Sequence, residues 1–140
     1  MGTPAAVRRL GAADTEGMGS GRILVGIIGT APAEAALRYA FGEAEQRGAV
    51  VAVIAAGPAS QAENALVGDV VRRWAEKHPA VGSTYEARRA VDAVVTLAAA
   101  SRHACLMVVE DGAEPWTAAM VAALARQAHC ALVTVSDPSW

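Results

Sequence analysis

A chain of 140 residues is the size of one domain, long enough to bury a core without disulfides or a structural metal. Hydrophobic residues make up 54% of it but aromatic ones only 4%, so alanine and aliphatic side chains must supply the core through helix-on-sheet contacts. With a formal net charge of -2 the chain has no basic field to attract nucleic acid, and no apolar run approaches the length of a membrane span.

Residues 1–21 carry Gly2, Gly11, Gly17, Gly19 and Gly21 among small and polar residues, without strand or helix periodicity, and are expected to be a disordered tail. Arg8-Arg9 is not followed by the apolar stretch of a signal peptide, and there are only two cysteines, Cys105 and Cys130. Both features point to a reducing, cytoplasmic setting.

At Arg22 the pattern changes to Ile23-Leu24-Val25-Gly26-Ile27-Ile28, an apolar run that predicts a strand buried on both faces, with Gly26 to Gly29 read as a tight turn. Thr30 is the expected cap of the next helix and Pro32 suits its first turn. Ala33, Ala36, Leu37, Ala40, Phe41 and Ala44 share one face of that helix, Glu34–Arg38 and Glu43–Arg47 are spaced to pair, and Gly48 stops it.

Val50 to Ala56 is the second strand. Ser60 and Glu63 form a capping-box pattern for a helix whose inward face is Val67, Val70, Val71 and Trp74, with Asp69–Arg73 and Arg72–Glu76 as surface pairs. Ser83 to Ala90 is a polar third strand with Thr84, Glu86 and Arg88 on one face, a composition suited to a sheet edge. Asp92 caps an alanine-rich helix to Ser101, Cys105 to Val109 is the fourth strand, Trp116 to Ala128 the fourth helix, and Ala131 to Val135 the last strand.

Five strands alternating with four helices predict a three-layer α/β/α domain over residues 22–137 with a parallel sheet, followed by a short tail, residues 138–140. The polar third strand selects the order 3-2-1-4-5, which leaves it at the edge. That order has one switch point, between the first and fourth strands, where a ligand would enter.

Val25-Gly26-Ile27-Ile28-Gly29-Thr30, Ala104 to Glu110, and Ala128-His129-Cys130-Ala131-Leu132-Val133-Thr134-Val135 fall in the order and spacing of the motifs of the universal stress proteins, which the chain resembles over residues 22–136. The resemblance implies the fold just described, a role in a stress response and a homodimer formed through the last strand. Nucleotide-binding members carry an acidic residue where this chain has Ile28. Their phosphate cradle reads Gly, two residues, Gly, nine residues, Gly, then Ser or Thr. Here the glycines fall on Glu110, Ala113 and Ala118, and Glu110 to Ala118 is too short by about five residues. The loop keeps only Gly112, while Glu110, Asp111 and Glu114 would repel phosphate and Trp116 can fill the space.

The expected function is therefore a non-catalytic binding or regulatory module with a degenerate nucleotide site, no cofactor and no metal. Its ligand pocket would be formed by Ile28, Gly29, Thr30, Ile54, Glu110, Gly112 and Trp116, and its partners would be a second copy or another protein. The competing reading is a nucleotide binder (ATP or AMP) or weak hydrolase using main-chain contacts from Ile54 and Gly29. A third is a small apolar ligand held against Ile28 and Trp116. His103, Cys105, His129 and Cys130 gather at the starts of the last two strands, but neighbours on a strand point apart, which favours thiols and surface imidazoles over a zinc site or a disulfide.

Overall fold

The computed structural model describes residues 6–10, 21–29, 33–88, 92–111 and 115–136, with backbone alone at 6–10, 115 and 116. Its strands are β1 (Ala6–Leu10), β2 (Arg22–Ile28), β3 (Val50–Ala56), β4 (Ser83–Arg88), β5 (Leu106–Glu110) and β6 (Ala131–Ser136). The helices are α1 (Glu34–Arg47), α2 (Gln61–Lys77), α3 (Ala93–Ala100) and α4 (Pro115–Gln127), with a 3-10 turn at Ser101–His103. The strands form one sheet in the order β1-β6-β5-β2-β3-β4. β2 to β6 are parallel and reproduce the expected order 3-2-1-4-5, whereas β1 is antiparallel to β6.

β1 corrects the expectation of a wholly disordered tail. Ala6 to Leu10 register with Ser136 to Leu132, and five backbone positions thereby gain the ladder that local sequence alone could not promise them. The apolar last strand thus has its outer edge covered within its own chain, so joining a second copy there requires β1 to leave. Residues 137–140, which include the expected tail, lie outside the described residues.

Side chains alternate between the two faces of the parallel strands. Ile23, Val25, Ile27, Val51, Val53, Leu106, Val108 and Val133 pack with α1 and α2 on one face. Leu24, Ile54, Met107, Val109 and Leu132 pack with α3 and α4 on the other. The predicted face of α1 is buried in full, but α2 buries only Val71 and Trp74. Trp74 anchors α2 through its indole N–H, which donates to Glu34 Oε1 at 2.6 Å, while Arg38 and Lys77 lie over its ring. Glu34 is thus drawn to α2 rather than to Arg38, and Asp69 bonds Arg72 rather than Arg73. Glu43–Arg47, the Ser60–Glu63 capping box, the Asp92 cap and the left-handed Gly48 stop are all present.

Gly26 lies inside β2, not in a turn. A β-carbon there would stand 2.8 Å from Leu97 Cδ1 and 3.2 Å from Val109 Cγ1, so its missing side chain is what lets α3 sit directly on the central strand. The turn belongs to Gly29 (φ 65°), whose N–H donates to Ala56 O at 2.7 Å. A β-carbon on Gly57 (φ 92°) would stand 3.4 Å from the nitrogen of the same amide, so the loops after β2 and β3 lie close together, each with a glycine in the left-handed region.

Candidate functional site

The crevice lies at the carboxyl ends of β2 and β5, where the chain leaves the sheet in opposite directions. α1 opens beside it at Glu34. Its N-cap is Ala33, not the expected Thr30, and Ala33 has no side chain to satisfy the first amides. The cap comes from across the sheet. The N–H of Ala36 donates to Glu110 Oε1 at 3.1 Å, so a carboxylate from the end of β5 sits on the positive end of α1.

Glu110 was expected at the mouth as a charge that repels phosphate. Its geometry goes further, because the carboxylate engages one of the backbone donors that a helix N-terminus offers to an anion. This tertiary cap had no signal in the sequence, since the two residues are 74 positions apart.

The expected pocket residues divide between the two faces of the sheet. Glu110 serves the α1 side, as its contact with Ala36 shows. Ile28, half-buried, and Ile54, buried, belong to the cluster with α3 and α4. Gly29 closes the loop between them through its bond to Ala56. Trp116 lies in the first turn of α4, while Thr30 and Gly112 lie outside the described residues. Thr117, which follows Trp116, is buried at the foot of α4. Asp111 is tied into the strand end, its N–H donating to Val135 O at 2.8 Å.

The cysteines and histidines at the opposite end of the sheet do not converge. Cys105 packs against the cluster under α1 and Cys130 lies in the cluster under α4, on the two faces of the sheet. Both remain thiols, with Cys105 Sγ 3.2 Å from Arg22 O. The backbone N–H of His129 is held by the buried Ser101 hydroxyl at 2.8 Å. Burial, reinforced by Cys105 nearby, pushes the Cys130 thiol up to about 11. At pH 8 only roughly one Cys130 in a thousand is then thiolate. Iodoacetamide is expected to label the folded protein once, at Cys105, and twice in denaturant. Equal labelling of both thiols in the native state would contradict this burial.

No protein-family model matches the chain, and neither does any curated protein sequence. Solved structures do. A universal stress protein in complex with cAMP superposes with a TM-score of 0.66 at 17% identity, covering 82% of this chain and 95% of that one. The fold is that of the universal stress proteins. A universal stress protein from Archaeoglobus fulgidus in complex with dAMP gives a TM-score of 0.62 at 15% identity, covering 81% of this chain and 96% of its own. A further universal stress protein from that organism gives 0.57 at 16% identity, over 81% and 92% of the two chains. The universal stress protein fold accounts for the five parallel strands and four helices, and β1 stands outside that five-stranded order. Among the described residues no helix is long and apolar enough to cross a membrane.

Proposed function

We propose that this chain is a stress-response binding or regulatory module whose adenine-nucleotide site has been replaced by an internal cap. The observation that carries the reading is the Glu110 carboxylate on the Ala36 amide. A nucleotide phosphate approaching α1 would meet a fixed negative charge where a phosphate site needs donors. Ile28 supports the reading, since it stands at the end of β2 in place of the acidic residue that the family motif carries, leaving an aliphatic side chain packed toward α3 and α4. Among the described residues no group in the crevice is arranged as a nucleophile with a base, because Glu110 is committed to a helix amide and Asp111 is adjacent to it on the chain. A cytoplasmic location and protein partners complete the proposal.

The second reading is adenine-nucleotide binding, and a specific observation favours it. Two structures of similar fold were solved with cAMP and with dAMP, monophosphates that do not need a triphosphate loop. Main-chain groups of Ile54 and Gly29 would hold the base, although Gly29 already spends its amide on Ala56.

Thermal unfolding with ATP, ADP, AMP, cAMP and dAMP, each with and without magnesium, separates the two. A native-state ligand at one hundred times its dissociation constant adds about 2.7 kcal/mol, several degrees of melting temperature in a domain of this size. The expected result is no shift with any nucleotide, and a saturable shift with any of them would overturn the proposal. Glu110→Gln isolates the cap: losing the charged acceptor is expected to cost about 1 kcal/mol. If the variant melts like the parent, the carboxylate is not holding α1.

A further inference from the structure

Parallel strands are ordinarily covered by helices on both faces, and one stretch of this sheet is left bare. The even-numbered residues of β2, β3 and β4 face α3 in rows set by the ladders: Leu24, Ala52 and Thr84, then Gly26, Ile54 and Glu86. α3 has only eight residues and sits on β2, where Leu97 packs over Gly26. Beyond it β3 and β4 floor an open groove of about 630 Å³, within the size range of small-molecule sites. Val50, 43% exposed, lies in this groove, and Gly82 beside it has no side chain to cover it. Of the described crevice residues only Ile54 lines it.

The two ends of the groove differ in charge. At the amino ends of the strands, away from the crevice, stand Arg22 and His103, brought close because the N–H of Cys105 donates to Arg22 O at 2.9 Å. Both are exposed, and among the described residues neither has a carboxylate partner. At the other end Arg88 donates to Glu86, Nε to Oε2 at 2.7 Å and Nη2 to Oε1 at 3.2 Å, so that cation is already paired. An anion entering the groove therefore finds an unpaired cation at the Arg22 end.

Between the ends the floor is aliphatic. Val50, Ala52 and Ile54 alternate along β3 onto this face, with Ala99 and Ala100 of α3 as one wall and Thr84 on the opposite rim. Among the described residues the lining has no aromatic ring apart from the His103 imidazole, which favours an alkyl chain over a stacked ring. Val50 to Ile54 covers about 13 Å of strand, the span of an extended chain of about ten carbons. We propose that this groove binds a medium-chain aliphatic carboxylate, its head on Arg22 and His103 and its chain along Val50, Ala52 and Ile54. Arg22 supplies the forked donor that a carboxylate matches. Basic side chains also suit the carbonyl end of α3 in the absence of any ligand, so binding and not stability is the test. The site stands apart from the Glu110 cap, and its failure would leave that reading untouched.

Sodium decanoate, kept below its micellar concentration and titrated into the isotope-labelled full chain, tests the site by nuclear magnetic resonance. The amide signals of Val50, Ala52, Thr84, Ala99 and His103 are expected to move and saturate together. Decanol, with the chain and no charge, should bind about tenfold more weakly, the loss of a charge-assisted bond. Acetate, with the charge and no chain, should not saturate. Arg22→Gln should weaken decanoate by about the same factor and leave decanol unchanged. Ala52→Phe should abolish binding by filling the groove, with circular dichroism checking that both variants fold. No saturable shift, shifts scattered over the whole surface, equal affinity for decanoate and decanol, or an Arg22→Gln variant that binds decanoate like the parent would each overturn the proposal. So would hexaglutamate moving these amides while decanoate does not, which would assign the face to an acidic protein segment.

Discussion

Gly26→Val is expected to destabilise the protein by about 3 kcal/mol, the high end for overpacking a closed core. The β-carbon would project toward α3 and meet Leu97, which has no exposed surface, and Val109, 1% exposed. Neither can retreat into solvent. Leu97 would have to leave its rotamer or α3 would have to lift from β2, and the Asp92 cap that starts α3 would lift with it. Chemical denaturation reads the loss directly.

The partner in this clash is identified by a double-mutant cycle. Leu97→Ala alone empties a fully buried site and costs about 3 kcal/mol. Together the two changes should cost clearly less than their sum, because the added valine methyls occupy space the leucine vacated. Strict additivity would mean that Gly26 is conserving backbone freedom rather than room for α3. The outcome bears on function because Gly26 lies beside Val109 and Ile54 at the entrance to the crevice, so whatever lifts α3 also loosens the floor on which any ligand would rest.

The sheet order was legible because its clue is local. Thr84, Glu86 and Arg88 cannot be buried between two strands, so their strand must lie at an edge, and that single constraint selects 3-2-1-4-5. Ser60, Asp92 and Gly48 were legible for the same reason, since each acts within four residues of itself. β1 was not. Its Ala-Val-Arg-Arg-Leu has no alternation, and its existence depends on a ladder with residues more than a hundred positions away. Gly26 was misread for want of the third dimension, as only the placement of Leu97 reveals why a strand would tolerate a glycine.

At the crevice the sequence indicated the presence of negative charge but not its use. Glu110 reads as a repulsive residue in a loop, whereas the structure makes it the cap of a helix whose own N-cap position is an alanine. The sequence offers Thr30 as a local cap; neither the shift of the N-cap to Ala33 nor the residue that serves it from another strand is visible there.

Deleting residues 1–20 is expected to lower stability by about 2 kcal/mol and to make the protein associate. Five register positions are lost with β1, at a few tenths to one kcal/mol each. The larger consequence is at the uncovered strand. Ala131 to Val135 are all buried in the folded chain, and removing β1 leaves their outer backbone groups without protein donors and acceptors along an apolar edge. Such an edge recruits another strand. The mass measured by light scattering should therefore rise above that of the parent as concentration increases. An unchanged mass and melting temperature after the deletion would show that β1 contributes neither stability nor cover, and would return the last strand to the role of a self-sufficient edge.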